Sequence, residues 1–192
     1  MRKILFIICW ALAGVGLYSC SLDEPSYGKT TSDNYYQKES DIEQALTGAY
    51  LQLRTTWNEY ALNHYFVGDC STDDALKGGG NDGDRAEVRD LSDFTIYTTN
   101  GEVGRRWEIL YRLINRCNDV IYYAPDAIGN EELLKRYANE AKALRAFGYY
   151  CLVTTFGEVP LITTPMQPAE ILQIPRSPLE KVYECLSLIH IS

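Results

Sequence analysis

Between Asn130 and Thr155 the residues Leu134, Tyr137, Ala141, Leu144, Gly148, Cys151 and Thr155 recur at spacings of three and four. A stripe of that period and length predicts a long helix with one buried face. Small residues alternate with large ones along it. Ala141 and Gly148 let a neighbouring helix come close, while Tyr137 and Leu144 fill its grooves. Asn130 is placed to cap the start, and Gly157 followed by Pro160 marks the stop. A second stripe runs from about Glu102 to Tyr123, with Trp107, Leu110, Tyr111, Ile114, Cys117, Ile121 and Tyr122 on its face and Ala124-Pro125 at its end.

Other segments are shorter. A helical turn is expected within Thr30–Lys38. Ser40 and Glu43 form an S-x-x-E capping box, predicting a helix with Ile42, Ala45, Leu46, Ala49, Tyr50 and Leu53 on its apolar face. Gly48 inside that helix costs roughly 1 kcal/mol against alanine, a cost that close approach of another helix would explain. Trp57 to Val67 reads as its aromatic partner helix. Asp69 to Asn100 reads as a long polar loop with a strand-like piece at Phe94–Thr98, and loops of that length are uncommon unless functional or disordered. Leu161 to Pro175 is an extended, proline-punctuated crossing. Ser177-Pro178-Leu179-Glu180 announces a further helix, serine capping and proline taking the first position. Residues 186–192 carry no charge to make a solvent face and read as a doubtful tail, so the chain is expected to be a fragment.

At the other end, Arg2 and Lys3 precede an apolar run from Ile4 to Leu17, followed by Leu17-Tyr18-Ser19-Cys20. The run is too short to span a bilayer. It predicts an export signal over residues 1–19, with Cys20 as the lipidated first residue of the mature chain; a plain cleaved signal is the alternative. The formal charge of −8 becomes more negative when Arg2 and Lys3 leave. An acidic body argues against nucleic acid and leaves an acyl chain to hold the membrane. Cys70, Cys117, Cys151 and Cys185 form no C-x-x-C pair, and Cys117 and Cys151 fall on the helical stripes, so buried free thiols are expected.

The chemistry-bearing patterns are weak. Gly78 to Gly83 matches G-x-G-x-x-G, but no strand precedes it and Asp82 and Asp84 would repel phosphate. Placing Gly83 at the sharp turn of an EF-hand puts Gly78 and Gly80 at ligand positions and Arg89 where a glutamate belongs, so that pattern fails too. Asp73 and Asp74 are adjacent and cannot flank a glycosidic bond with opposed roles. His64 and His190 are too few for a triad or a metal cluster. No catalytic group, metal or cofactor is expected. Sugar rings present apolar C–H faces and a rim of hydroxyls, so a binder needs flat rings and planar polar groups. In the long loop Asp73, Asp74, Asn81, Asp82, Arg85 and Arg89 are the candidates for the polar part of such a surface and Tyr97 for a ring; the alternative is that they only solvate the loop.

Three runs carry a family resemblance. Ala45-Leu46-Thr47-Gly48-Ala49-Tyr50 resembles the first-helix signature of the SusD/RagB outer-membrane lipoproteins. Trp107 to Asn118 is similar to that family's W-x-x-x-Y-x-x-I-x-x-x-N helix. Asn139 to Leu161 is similar to its E-A-x-x-L-R-A-x-x-Y-x-x-L-V-x-x-F-G-x-V-P-L run. The resemblance implies an all-α fold of stacked, tetratricopeptide-like helix pairs with long irregular loops over residues 20–185, the C-terminal half of the family fold being absent. It implies a non-catalytic glycan binder, or in some members a peptide binder, anchored by lipid at the cell surface, with a SusC-like TonB-dependent transporter as partner. Cys20-Ser21-Leu22-Asp23-Glu24 resembles the family's acidic surface-export signal. Trp107, Tyr111, Asn118, Glu140 and Arg145 are assigned to structure, Glu140 and Arg145 being expected in buried pairs with neighbouring helices. A helical scaffold without a ligand is the alternative function.

Overall fold

The computed structural model describes residues 35–54, 64–81 and 83–187, all within a unit spanning Ser32–Ser192. Residues 1–34, where the sequence places the expected signal and Cys20, lie outside the described residues, as do Trp57, Tyr60 and residues 188–192.

Six helices order the described chain: α1 (Glu39–Tyr50), α2 (Ala86–Ser92), α3 (Gly101–Tyr123), α4 (Glu131–Phe156), α5 (Pro168–Ile171) and α6 (Leu179–Ser187). Among the described residues there is no strand, only the isolated bridges Lys38–Ile128 and Val159–Ser177. The all-α expectation holds. No helix among them is long and apolar enough to cross a membrane.

The two long stripes become α3 and α4, packed against each other. Asn100 caps α3, its Oδ1 accepting from the N–H groups of Glu102 at 3.1 Å and Val103 at 3.2 Å. Asn130 caps α4 in the same way, accepting from Glu132 at 2.9 Å and Leu133 at 3.2 Å. Gly157 ends α4 at φ 71°, ψ −125°, a backbone state that side chains rarely adopt. At Gly148 the helices are in tight contact: a β-carbon there would lie 3.0 Å from Cγ1 of Ile114.

The face of α3 is wider than the stripe predicted. Ile109, Leu113 and Val120 are buried as well as Leu110, Ile114 and Cys117, whereas Tyr122 is 57% exposed. The reason is that α3 is covered on more than one side. Toward its C-terminal end it meets α1 and the first half of α4, in a core of Ile42, Leu46, Leu113, Cys117, Leu134 and Ala141. Toward its N-terminal end it meets the second half of α4 and α6, in a core that includes Leu110, Ile114, Tyr149, Leu152, Val159 and Val182. Each fully buried aliphatic side chain contributes about 1.5–3 kcal/mol from leaving water. Cys70, Cys117 and Cys151 are buried free thiols, as expected, and Cys185 is free and half-buried. Burial pushes the Cys117 thiol up to about 12, so it stays protonated and inert.

Several boundaries differ from the sequence expectation. Helix α1 begins one residue before Ser40, and its entry is closed by Asp41, whose Oδ2 accepts the Lys38 N–H at 2.9 Å. Lys38 is held extended by its bridge to Ile128, which moves the helix start ahead of the Ser40–Glu43 box. Gly48 is explained by Arg116: Nη1 donates to the Gly48 carbonyl at 3.1 Å and would lie 2.9 Å from a β-carbon. The supposed partner helix over Trp57–Val67 is described only from His64, where one helical turn (His64–Gly68) runs into another (Asp69–Ser71). The loop Asp69–Asn100 contains α2, and Phe94–Thr98 is not a strand. The crossing Leu161–Pro175 contains the single turn α5. The S-P-L-E signal yields a helix as expected, but its hydrogen bonds start from the Pro178 carbonyl while the Ser177 N–H is donated to Val159 at 2.9 Å. Leu186 and Ser187, placed by the sequence in the doubtful tail, continue α6, and Leu186 packs on the second core.

One surface cluster predicts a pH dependence. Tyr36 stacks on Tyr123 with centroids 4.4 Å apart and donates its hydroxyl to Oδ2 of Asp119 at 3.3 Å. Burial pushes the Asp119 carboxyl above its ordinary range, and the Tyr36 bond and Arg116 only partly oppose it. Between the ordinary carboxylate value and the raised one, the folded chain binds more protons than the unfolded chain. Stability from this group therefore falls as pH rises through that window. Asp119→Asn keeps an acceptor for Tyr36 and removes the titration. Urea midpoints of the variant should gain on the wild type between about pH 3 and pH 7. A difference that stays constant over that range would refute the assignment.

Candidate functional site

The third, smaller core positions the loop region. Val88 and Leu91 on one face of α2 bury against Phe66 and Cys70, with Val67 and Val103 alongside. Arg85, at φ 49°, sets the start of α2: its guanidinium carbon lies 4.8 Å from the Phe66 ring centroid and Nη1 lies 4.0 Å from Oε1 of the buried Glu102. Asn100 locks α2 to α3, donating Nδ2–H to the Glu87 carbonyl at 2.9 Å, while Oε1 of Glu87 accepts the Gly101 N–H at 3.0 Å.

Between α2 and α3 the chain makes a tip. The Thr95 N–H bonds back to Asp90 at 2.9 Å and the Asn100 N–H to Tyr97 at 3.0 Å, closing it at both ends. Phe94 sits at φ 57°, uncommon for a bulky residue. The tip carries Phe94, Ile96 and Tyr97, which are 68%, 49% and 66% exposed. Beneath it lies a pocket of ≈ 480 Å³ lined in part by Leu91, Ile96, Val103, Arg106, Thr155 and Phe156. Buried Arg106 donates Nε–H to Oγ1 of Thr155 at 2.9 Å, and burial lowers its pKa. The rings on the tip supply the flat surface that a sugar ring requires, whereas the donors lining the pocket are spent within the fold, the Thr155 hydroxyl on the Cys151 carbonyl at 2.8 Å and the Ser71 hydroxyl on the Val67 carbonyl at 2.6 Å.

The sequence-predicted loop residues divide. Asp73, Asp74 and Tyr97 are exposed. Asn81 is exposed but spends Oδ1 on the N–H groups of Gly83 at 2.9 Å and Asp84 at 3.1 Å, a turn built by its own side chain. Arg85 holds α2 in place, and Arg89 lies 3.7 Å from Asp90 and 3.9 Å from Asp93. Asp82 and the His64 side chain lie outside the described residues. Phe94 and Ile96 were missed because the strand reading gave them a pairing role. Their signal was a run of apolar residues directly after the α2 stripe. Among the described residues no three His, Cys, Asp or Glu are grouped to hold a metal.

The motif residues form a polar clasp on the extended segment after α4. Tyr111 donates its hydroxyl to the Pro160 carbonyl at 2.7 Å. Fully buried Asn118 donates Nδ2–H to the Ile162 carbonyl at 3.0 Å and accepts from Nη1 of Arg145 at 2.9 Å, which also donates to the Thr163 carbonyl at 2.9 Å. The Tyr149 hydroxyl donates to the Ile162 carbonyl at 2.8 Å and accepts the Ile162 N–H at 2.6 Å. Trp107 packs between Tyr111 and Phe156. The expectation of buried ion pairs fails at both charged residues. Arg145 pairs with an amide and a carbonyl, and Glu140 sits at the surface with Arg136 at 2.9 Å and the Tyr50 hydroxyl at 3.2 Å. The extended segment has no sheet to satisfy its backbone, so neutral acceptors on it take the place of a carboxylate partner. Tyr149 was not singled out in the sequence, although it carries two of these bonds.

Residues 21–187 match the model of a SusD-like family described as starch-binding and associating with the outer membrane. The chain belongs to this family. It is 29% identical over 187 residues to the SusD-like protein P2 of Formosa agariphila, covering 95% of this chain and 35% of that protein. A laminarin-binding SusD-like protein superposes with a TM-score of 0.72 at 29% identity, covering 80% of this chain and 33% of that one. Surface glycan-binding protein A from Bacteroides uniformis superposes with a TM-score of 0.68 at 28% identity, covering 79% and 33%. The SusD-like chain therefore spans about a third of the length of these relatives.

Proposed function

We propose that this SusD-like chain belongs to a non-enzymatic, surface-exposed lipoprotein that captures a glycan and passes it to a SusC-like TonB-dependent transporter. The observation that carries the reading is the closed tip Phe94–Tyr97, which holds two rings and an isoleucine in solvent on a fold shared with glycan-binding relatives. Tyr97 and Phe94 meet the apolar faces of the sugar. Exposed Asp73 and Asp74 offer acceptors to sugar hydroxyls, and Asp82 joins them by its chemistry alone. Asn81, Arg85 and Arg89 act by shaping the loop and α2. The acyl group on Cys20 supplies the membrane attachment that an acidic body cannot obtain from anionic lipid.

Affinity electrophoresis of the full-length protein through laminarin and starch gels tests this. The wild type should be retarded by at least one polysaccharide, and Phe94→Ala/Tyr97→Ala should migrate freely with an unchanged thermal melt, both side chains being exposed. A protein unretarded by every polysaccharide would be the scaffold of the alternative reading. Turnover of a glycan by the purified protein would refute the non-enzymatic assignment.

A further inference from the structure

A groove of ≈ 960 Å³ lies where the α3–α4 connection meets the first half of α4, and neither the clasp nor the tip uses it. Its walls include Ile121, Ala124, Leu134 and Ala138, with Lys135 and Lys142 along α4. On the ridge of α4 that faces the groove, Ala138 and Lys142 lie four residues apart with Lys135 three residues before Ala138, while Leu134 is buried beneath them in the first core. Among the described residues no aromatic ring lines the groove. It therefore lacks the flat surface that favours sugar.

At one end stands Ile128, 78% exposed. Its backbone is fixed on both sides: its N–H donates to the Gln37 carbonyl at 2.8 Å and its carbonyl accepts the Glu39 N–H at 3.0 Å. Oε2 of Glu39 also accepts the Asn130 N–H at 2.7 Å. An isoleucine on so firm a backbone is held outward as a preorganised knob. Glu131 lines the same end, where the N-terminal dipole of α4 favours its charge. Among the described residues Lys135 makes no ion pair, and Nζ of Lys142 is bonded to the neutral Oδ1 of Asn139 at 3.1 Å. On a chain of formal charge −8, the ridge thus keeps two lysines without carboxylate partners beside an apolar floor.

We propose that this groove docks an amphipathic α-helix whose apolar stripe is flanked by Asp or Glu. The small, half-buried Ala127 and Ala138 let a helix backbone approach closely, and half-buried Ile121 offers it apolar contact. Lys135 and Lys142 select an acidic flank, and the Ile128 knob fixes where the stripe begins.

Fluorescence anisotropy of the purified full chain tests this with two labelled helical peptides of one Leu/Ala stripe, flanked by Glu or by Lys. The Glu-flanked peptide should bind about tenfold more tightly, roughly 1.4 kcal/mol. Lys135→Glu/Lys142→Glu should reverse that preference. Ile128→Glu, at an exposed position that leaves the fold intact, should weaken both peptides. Equal binding of the two peptides, or binding indifferent to Ile128→Glu, would overturn the proposal. So would a dimer of the free chain that Ile128→Glu dissociates, because the occupant would then be a second copy.

Discussion

Removing the Tyr149 hydroxyl and the Asn118 amide together should cost more stability than the two changes made singly. The Ile162 carbonyl receives both, from Tyr149 at 2.8 Å and Asn118 at 3.0 Å. Tyr149→Phe orphans the buried Ile162 N–H, at about 2 kcal/mol, but leaves the carbonyl with Asn118. Asn118→Leu leaves that carbonyl with Tyr149 and leaves Arg145 with Thr163, so about 1 kcal/mol is expected. Only the double variant strips the carbonyl of both partners. A coupling of about 1–2 kcal/mol beyond the sum should follow, measured as urea unfolding free energies around the cycle. The double variant should melt roughly 10 °C lower, at about 2–4 °C per kcal/mol for a chain of this size. Strict additivity would mean that the clasp does not act as a unit.

Gly148→Val should destabilise by about 3 kcal/mol. Its β-carbon would begin 3.0 Å from Cγ1 of Ile114 and 3.5 Å from Cδ2 of Leu113, and the branched methyls reach further into the α3–α4 interface. Replacing glycine inside a helix returns only about 1 kcal/mol of propensity, so the clash decides the sign. Gly148→Ala is the control, because one methyl needs only a small shift of Ile114 and the propensity gain offsets much of it. Ile114→Ala in the Gly148→Val background should restore part of the loss by vacating the contacted volume. Thermal melts of the three variants check this, and a Gly148→Val melt equal to wild type would show that the helices are not in tight contact there.

Mean sequence pattern carried furthest where a feature is local. The Asn130 cap, the Gly157 stop, the Ala141–Gly148 close-packing stripe and the family-like runs all depend on residues within a few turns of one another, and all appear in the fold. Helix α2 escaped because Val88 and Leu91 make too short a stripe to register against a polar background. Their burial comes from Phe66 and Cys70, which are far away in the chain. The loop residues were chosen by chemistry alone, so Arg85 and Arg89 could not be separated from Asp73 and Tyr97. Only their neighbours show that the two arginines are engaged. Phe94 and Ile96 were hidden by the strand reading, since an apolar alternation looks the same whether or not a partner strand exists.

By itself the sequence determined the helical class, the two long helices, the Asn130 cap and Gly157 stop of the second, the small residues that let a neighbour approach it and the family. Each of these follows from spacing along one chain, because backbone hydrogen bonds in a helix close within four residues. Tertiary structure alone decided that Asn118, Arg145 and Tyr149 clasp one extended segment, that Glu140 stays at the surface, and that the Phe94–Tyr97 tip stands open. Those outcomes depend on which distant groups arrive to satisfy a buried carbonyl or cover a ring, and nothing in local spacing encodes that arrival.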